Sequence, residues 1–156
     1  LQISFGYPTA DEEWGVLQRR LARRQEEQRL RAVIDAPTLC AMQEAIERVT
    51  VDESVGRYCV ELAAATRSHP HTLMGSSPRG SLALMLVARS FAVVAGRDFV
   101  IPEDVKAVAV AVLAHRIAVK PELWMSGASG PSVVAAVLGS VATPAALEAD
   151  FATDVK

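Results

Sequence analysis

The sequence predicts an all-α helical bundle entered by one short strand. Three observations carry that prediction. Of the 156 residues, 51% are apolar but only 5% aromatic, so the apolar content is Ala, Val and Leu, side chains that let helices pack closely. Apolar residues recur at i, i+3 and i+4 in segment after segment, the spacing of one buried helix face. These segments are bracketed by helix punctuation: Thr9, Asp52, Ser77-Pro78 and Pro102 at starts, Gly96 and Lys120-Pro121 at stops. The length suffices for one domain with a substantial core.

The strand is Leu1-Gln2-Ile3-Ser4-Phe5, a strict apolar/polar alternation ended by Gly6-Tyr7-Pro8. One strand has nothing to pair with, no second strand follows in the pattern, and residue 1 is not Met. The chain therefore reads as a fragment whose sheet lies upstream. The first helix is expected from the capping box Thr9-Ala10-Asp11-Glu12 through Trp14, Leu17 and Leu21 to about Gln28. Its second half carries Arg19, Arg20, Arg23 and Arg24, followed by Arg29 and Arg31, with Arg23 and Glu27 spaced to pair. This basic face is either solvated or a surface for a protein or nucleic acid.

Val33 to Pro37 breaks the pattern, and a short helix is expected over Thr38 to Val49. The next helix starts at the cap Thr50-Val51-Asp52-Glu53 and runs to Ser68, with Val55, Cys59, Leu62, Ala63 and Thr66 inward. Pro78 to Ala95 is apolar nearly all round and reads as the central buried helix. Pro102-Glu103-Asp104 opens a helix with proline at its first position and acids in its first turn. Ser126 to Pro131 is a loop, and a last helix is expected over Ser132 to Val141.

Several functions are argued against. A net charge of −2 lacks the basic excess of a dedicated nucleic-acid binder. The longest apolar run, Ser81 to Ala95, is interrupted by Arg89 and is too short to span a bilayer, and the opening residues show no secretory leader pattern. Cys40 and Cys59 have no partners at metal-ligand spacing and read as buried, reduced thiols. His69 and His71, two apart, lack a third ligand and belong to a loop. There is no P-loop, and the lysines Lys106, Lys120 and Lys156 follow no glycine. Asp52-Glu53 looks like a magnesium-holding acidic pair but follows a helix and reads as a cap.

The candidate site is Met74-Gly75-Ser76-Ser77-Pro78-Arg79-Gly80-Ser81. Ser77 is a good N-cap and Pro78 a good first helical residue. Arg79 then sits in the first turn, where the helix already presents partial positive charge. A cation there makes sense if an anion such as phosphate comes to it. Gly75 and Gly80 read as flexible residues, and Gly80 as giving close access. The alternative is a surface arginine paired with a carboxylate such as Glu61.

Taken in order, several stretches resemble the C-terminal part of MoxR-type AAA+ ATPases. They are Ile3-Ser4-Phe5-Gly6-Tyr7-Pro8, Val33-Ile34 with the Gln43 helix, Ala65-Thr66-Arg67 with His69-Pro70, Gly75 to Gly80, Gly96 to Lys106, and His115-Arg116. The resemblance implies that residues 1–8 end the nucleotide-binding core, that 9–120 form a helical lid, and that 121–156 are a C-terminal extension, partly helical. It implies that Arg79 is the sensor 2 residue, with Ser77 and Pro78 beside it at the nucleotide. It implies ATP and Mg2+ as cofactors of the full-length protein, with no nucleotide held by this fragment alone. It further implies an upstream AAA+ core, a hexameric ring, a chaperone-like role in the cytoplasm, and a partner carrying a von Willebrand factor A domain. The other reading is a free-standing helical interaction module that uses the arginine-rich first helix.

Overall fold

The computed structural model describes residues 1–23 and 30–145. It contains helices α1 (Ala10–Arg23), α2 (Ala36–Glu47), α3 (Glu53–Ser68), α4 (Pro78–Val94), α5 (Pro102–Leu113) and α6 (Gly130–Ser140). Two short strands, β1 (Thr72–Met74) and β2 (Ala118–Val119), pair antiparallel, and 3-10 turns cover Ala114–Arg116 and Pro121–Ser126. The all-α bundle is therefore observed, with one small sheet that the sequence pattern did not reveal. The chain divides into two compact units, Ile3–Met42 and Gln43 onward together with Leu1–Gln2.

In the smaller unit, α1 starts as its capping box requires. The Thr9 N–H and hydroxyl donate to Glu12 Oε2 at 2.8 and 2.9 Å, and the Glu12 N–H donates back to Thr9 Oγ1 at 3.3 Å. None of the residues of α1 is buried. The expected Arg23–Glu27 pair and the stretch from Arg24 to Arg29 lie outside the described residues. α2 begins two residues before the expected Thr38, because Asp35 caps it: the Thr38 N–H donates to Asp35 Oδ1 at 2.9 Å. Pro37, read as a breaker, falls in the first turn, where its missing N–H has no intrahelical partner to lose. Cys40 is exposed, contrary to the expectation of a buried thiol, since α2 buries none of its residues. Cys59 is buried, and burial pushes its thiol up to about 11.

In the larger unit, the core is built by α3, α4, α5 and α6. Leu62, Leu84, Ala88, Val105, Ala109, Val112, Leu113, Val133 and Val134 are all fully buried. The inner face read for α3 is observed, with Tyr58 added to it. Asp52 caps α3, accepting from the Ser54 N–H at 2.8 Å, so the acidic pair there is a helix start.

The most buried helix is α5, not α4. α4 buries a single stripe at every fourth residue, Gly80, Leu84, Ala88 and Ala92, while Leu82 and Val94 stand 55% and 87% exposed. Small residues along that stripe let α5 approach closely, and α5 in turn buries seven residues, from Pro102 to Leu113. The core also continues past Lys120. α6 contributes Val133, Val134 and Val137, and a Cβ added to Gly130 would lie 2.2 Å from the Ala114 carbonyl oxygen. Ser129 caps α6, which moves its start ahead of the expected Ser132.

Leu1 to Phe5 forms no strand. Alternation supplies two faces but not a neighbour, and a ladder needs a second strand to accept its hydrogen bonds. The Gln2 N–H donates to the Ala111 carbonyl at 2.8 Å.

Candidate functional site

Ser77, Pro78 and Arg79 sit at the start of α4, held there by contacts with α3 and α5. Thr66, on the inner face of α3, is fully buried. Its hydroxyl donates to the Ala63 carbonyl at 2.7 Å and accepts the Ser76 N–H at 2.9 Å. Ser76 is fully buried as well. The loop entering α4 is thereby fastened to the last turns of α3 by a hydrogen bond between residues ten apart in sequence.

The two glycines of this stretch prove to be packing residues. A Cβ on Gly75 would lie 2.6 Å from both Cα and N of Arg67, and one on Gly80 would lie 1.8 Å from Ser76 Oγ and 3.3 Å from Leu113 Cδ2. Neither has positive φ. Glycine is needed here for close backbone approach rather than for freedom of the chain. The reading of these two residues as flexible is therefore corrected.

Ser77 is extended, with φ −74° and ψ 171°, and its hydroxyl makes no capping bond. Pro78 occupies the first turn, and the Gly80 N–H donates to the Ser77 carbonyl at 2.7 Å. The end of α4 thus keeps first-turn polarity that no side chain neutralises. Arg79 is exposed and its side chain makes no hydrogen bond or ion pair among the described residues; Glu61 is not its partner. A free guanidinium therefore stands beside an uncapped helix N-terminus, an arrangement suited to a multiply charged anion.

A second fastening sets the opposite end of α4. Arg97 makes a bidentate pair with Asp104, one bond at 2.7 Å, and Asp104 is 2% exposed. Asp104 Oδ2 also accepts the Ile101 N–H at 3.0 Å. Burial works to raise this carboxyl, but the bonds from Arg97 and Ile101 outweigh it and hold the group below the usual carboxylate range. The Thr50 N–H donates to the Asp98 carbonyl at 2.8 Å and the Val100 N–H to Thr50 at 3.0 Å, which ties the connector to the chain before α3. Arg89 reaches Glu47 Oε2 at 2.9 Å and joins α4 to the end of α2.

His69 and His71 meet edge to face at 5.1 Å, with the His71 N–H donating to His69 Nδ1 at 3.2 Å. The Lys120 N–H donates to the His71 carbonyl, extending the β1–β2 ladder. Among the described residues no group of three His, Cys, Asp or Glu could hold a metal. No helix among them is long and apolar enough to cross a membrane.

Comparison with known proteins agrees with this architecture. The model of the AAA lid domain family matches residues 64–137. That span opens just before Thr66 and Arg67, includes the whole candidate site, and ends at Val137 of α6. The chain is 34% identical over 143 residues to the uncharacterized protein YeaC of Bacillus subtilis, covering 92% of this chain and 44% of that protein. It is 32% identical over 152 residues to the chaperone MoxR1 of Mycobacterium tuberculosis, covering 92% of this chain and 40% of the other. A crystal structure of a protein assigned as an ATPase, from Cytophaga hutchinsonii, superposes with a TM-score of 0.79 at 28% identity, over 91% of this chain and 46% of that one. The chain thus spans less than half the length of these relatives.

Proposed function

We propose that this chain, which is similar to a MoxR chaperone and matches the AAA lid domain family over its residues 64–137, serves as the lid of a MoxR-type AAA+ ATPase and that Arg79 reads the nucleotide. The observation that carries the reading is Arg79 itself. It is an exposed guanidinium with no partner among the described residues, at an uncapped helix N-terminus anchored through Thr66 and Gly75. A triphosphate bound on a neighbouring core supplies the missing anion. Arg79 acts as sensor 2, with the Ser77–Pro78 start of α4 beside it. Its charge is placed where negative charge gathers on the γ-phosphate oxygens.

Mg2+ accompanies ATP on the core and is not held by the residues described here. In the full-length protein, loss of the γ-phosphate removes the anion that Arg79 grips, so hydrolysis loosens the lid. The working assembly is a hexameric cytoplasmic ring with a chaperone-like role, acting with a partner that carries a von Willebrand factor A domain. A second reading rests on α1, which buries none of its residues and carries Arg19, Arg20 and Arg23: that helix is a docking surface for a protein or nucleic acid.

The test is Arg79→Ala in the full-length protein. Turnover of ATP is expected to fall about a hundredfold or more, because one charge-stabilising donor is removed. Thermal unfolding should stay unchanged, since the exposed Arg79 side chain makes no hydrogen bond or ion pair among the described residues. Wild-type turnover in a folded variant defeats the sensor assignment.

A further inference from the structure

We infer that Arg67 is a second phosphate-binding cation of the same site, acting on substrate affinity where Arg79 acts on turnover. This inference rests on the lid reading above. Its starting point is how the arginines of the larger unit are used. Arg57 pairs with Glu53, Arg89 with Glu47 and Arg97 with Asp104, while Arg116 donates to the Val112 carbonyl at 2.9 Å. The side chains of Arg48, Arg67 and Arg79 make no hydrogen bond or ion pair among the described residues. Arg48 lies just past α2. The other two belong to one small piece of structure.

That piece is the junction of α3 and α4. Gly75 presses so closely on residue 67 that a Cβ would fall 2.6 Å from its Cα and N. The loop therefore covers the backbone of Arg67 while the residue remains exposed. Gly75 and Arg79 are four positions apart in sequence, a span of at most about 14 Å even if fully extended. The Thr66–Ser76 hydrogen bond and the tight seat of Gly80 keep that span fixed. Two uncommitted guanidiniums thus flank a rigid loop at the start of α4. Neither is neutralised by a carboxylate among the described residues, so each keeps its full charge for an incoming polyanion.

Arg67 also lies in the last turn of α3, where a cation is favoured by the helix dipole alone. The dipole role predicts an effect on stability and none on nucleotide affinity. The experiment separates the two. Steady-state ATP hydrolysis is measured in the full-length protein for wild type, Arg67→Ala, Arg67→Lys, Arg67→Gln and Arg79→Ala, with thermal unfolding in parallel. Arg67→Ala is expected to raise KM for ATP about tenfold, the loss of one charge-assisted contact, with kcat changed less than twofold. Arg67→Lys should recover most of the affinity, and Arg67→Gln should not. The Ki of AMP as a competitive inhibitor should rise less than the KM for ATP, because fewer phosphate charges reach the clamp.

An unchanged KM in Arg67→Ala or Arg67→Gln overturns the inference, as does equal recovery by Gln and Lys. If Arg67→Ala does not fold, the Gln and Lys variants decide by the same criterion. Loss of turnover in Arg79→Ala beside a normal KM in the Arg67 variants leaves the lid reading standing and removes this inference alone. Normal turnover in Arg79→Ala removes the reading on which it rests.

Discussion

Replacing Thr66 by Val tests whether the candidate site is held by one buried hydrogen bond. The substitution keeps the branched shape and deletes the hydroxyl that accepts the Ser76 N–H at 2.9 Å and donates to Ala63 at 2.7 Å. Thr66 and Ser76 are both fully buried, so water cannot replace the lost acceptor without opening the loop. An orphaned buried donor costs about 1–3 kcal/mol. The Ala63 carbonyl sits within α3 and retains a second lone pair for the helix, so its share is small. The expected loss is about 2 kcal/mol, equivalent to a fall in Tm of about 4–8 °C for a chain of this length.

Denaturant unfolding followed by circular dichroism measures the loss, and amide exchange localises it. The Ser76 N–H should exchange about thirtyfold faster if opening becomes easier by 2 kcal/mol. Thr66→Ser retains the oxygen and should keep Ser76 protected. A loss below about 0.5 kcal/mol in Thr66→Val, with Ser76 exchange unchanged, refutes the idea that this bond fixes the loop.

Two further outcomes follow from the packing and the ion pair. Gly75→Ala places a methyl against the backbone of Arg67 at 2.6 Å, and rigid backbone cannot yield as a side-chain tip can. It should destabilise by about 2–3 kcal/mol and by more than Gly80→Ala, whose nearest obstacle is the Ser76 hydroxyl; denaturant midpoints of the two variants give the ranking. Asp104→Asn removes the charge that Arg97 grips and should cost about 2 kcal/mol, less than a fully buried pair because the Arg97 side chain is 24% exposed. Asp104 is held below its unfolded pKa, so its stabilisation is complete above about pH 4 and is lost as pH falls through the lower folded value. The gap between wild type and Asp104→Asn should therefore hold constant from neutral pH down to about pH 4 and close below it; a gap that persists undiminished as pH falls well below about 4 contradicts this assignment.

Local chemistry made most helix starts legible. Asp52, Pro78 and Pro102 mark the beginnings of α3, α4 and α5 because a cap or a proline acts within one turn of its own position. The choice between α4 and α5 as the innermost helix was not legible. Both are rich in Ala, Val and Leu, so no polar face betrays which stripe meets a partner, and burial is decided by how closely Gly80, Ala88 and Ala92 let α5 approach.

For the candidate site, the residue types at the start of α4 were readable, but their support was not. The Thr66–Ser76 bond joins residues ten apart and the Arg97–Asp104 pair residues seven apart across a bend. Neither spacing has a period that betrays it. Gly75 signalled a special position without saying which kind, since a glycine needed for clearance and one needed for a turn look alike in sequence. The alternation of Leu1 to Phe5 failed for a related reason: a strand is a property of two segments, and none of the described segments pairs with this one.

The fastening between Thr66 and Ser76 has a mechanical consequence. Because the last turns of α3 and the first turn of α4 are joined without slack, a torque applied at Arg79 is not absorbed by the intervening loop. It passes into α3, whose 16 residues make a rod about 24 Å long. A tilt of about 5° at the loop end moves the far end, at Asp52 and Glu53, by about 2 Å. Under the proposed lid function, α3 is a lever with its short arm at the guanidinium, and the stiffness of one hydrogen bond sets how much of a pull on Arg79 would reach the other end of the helix.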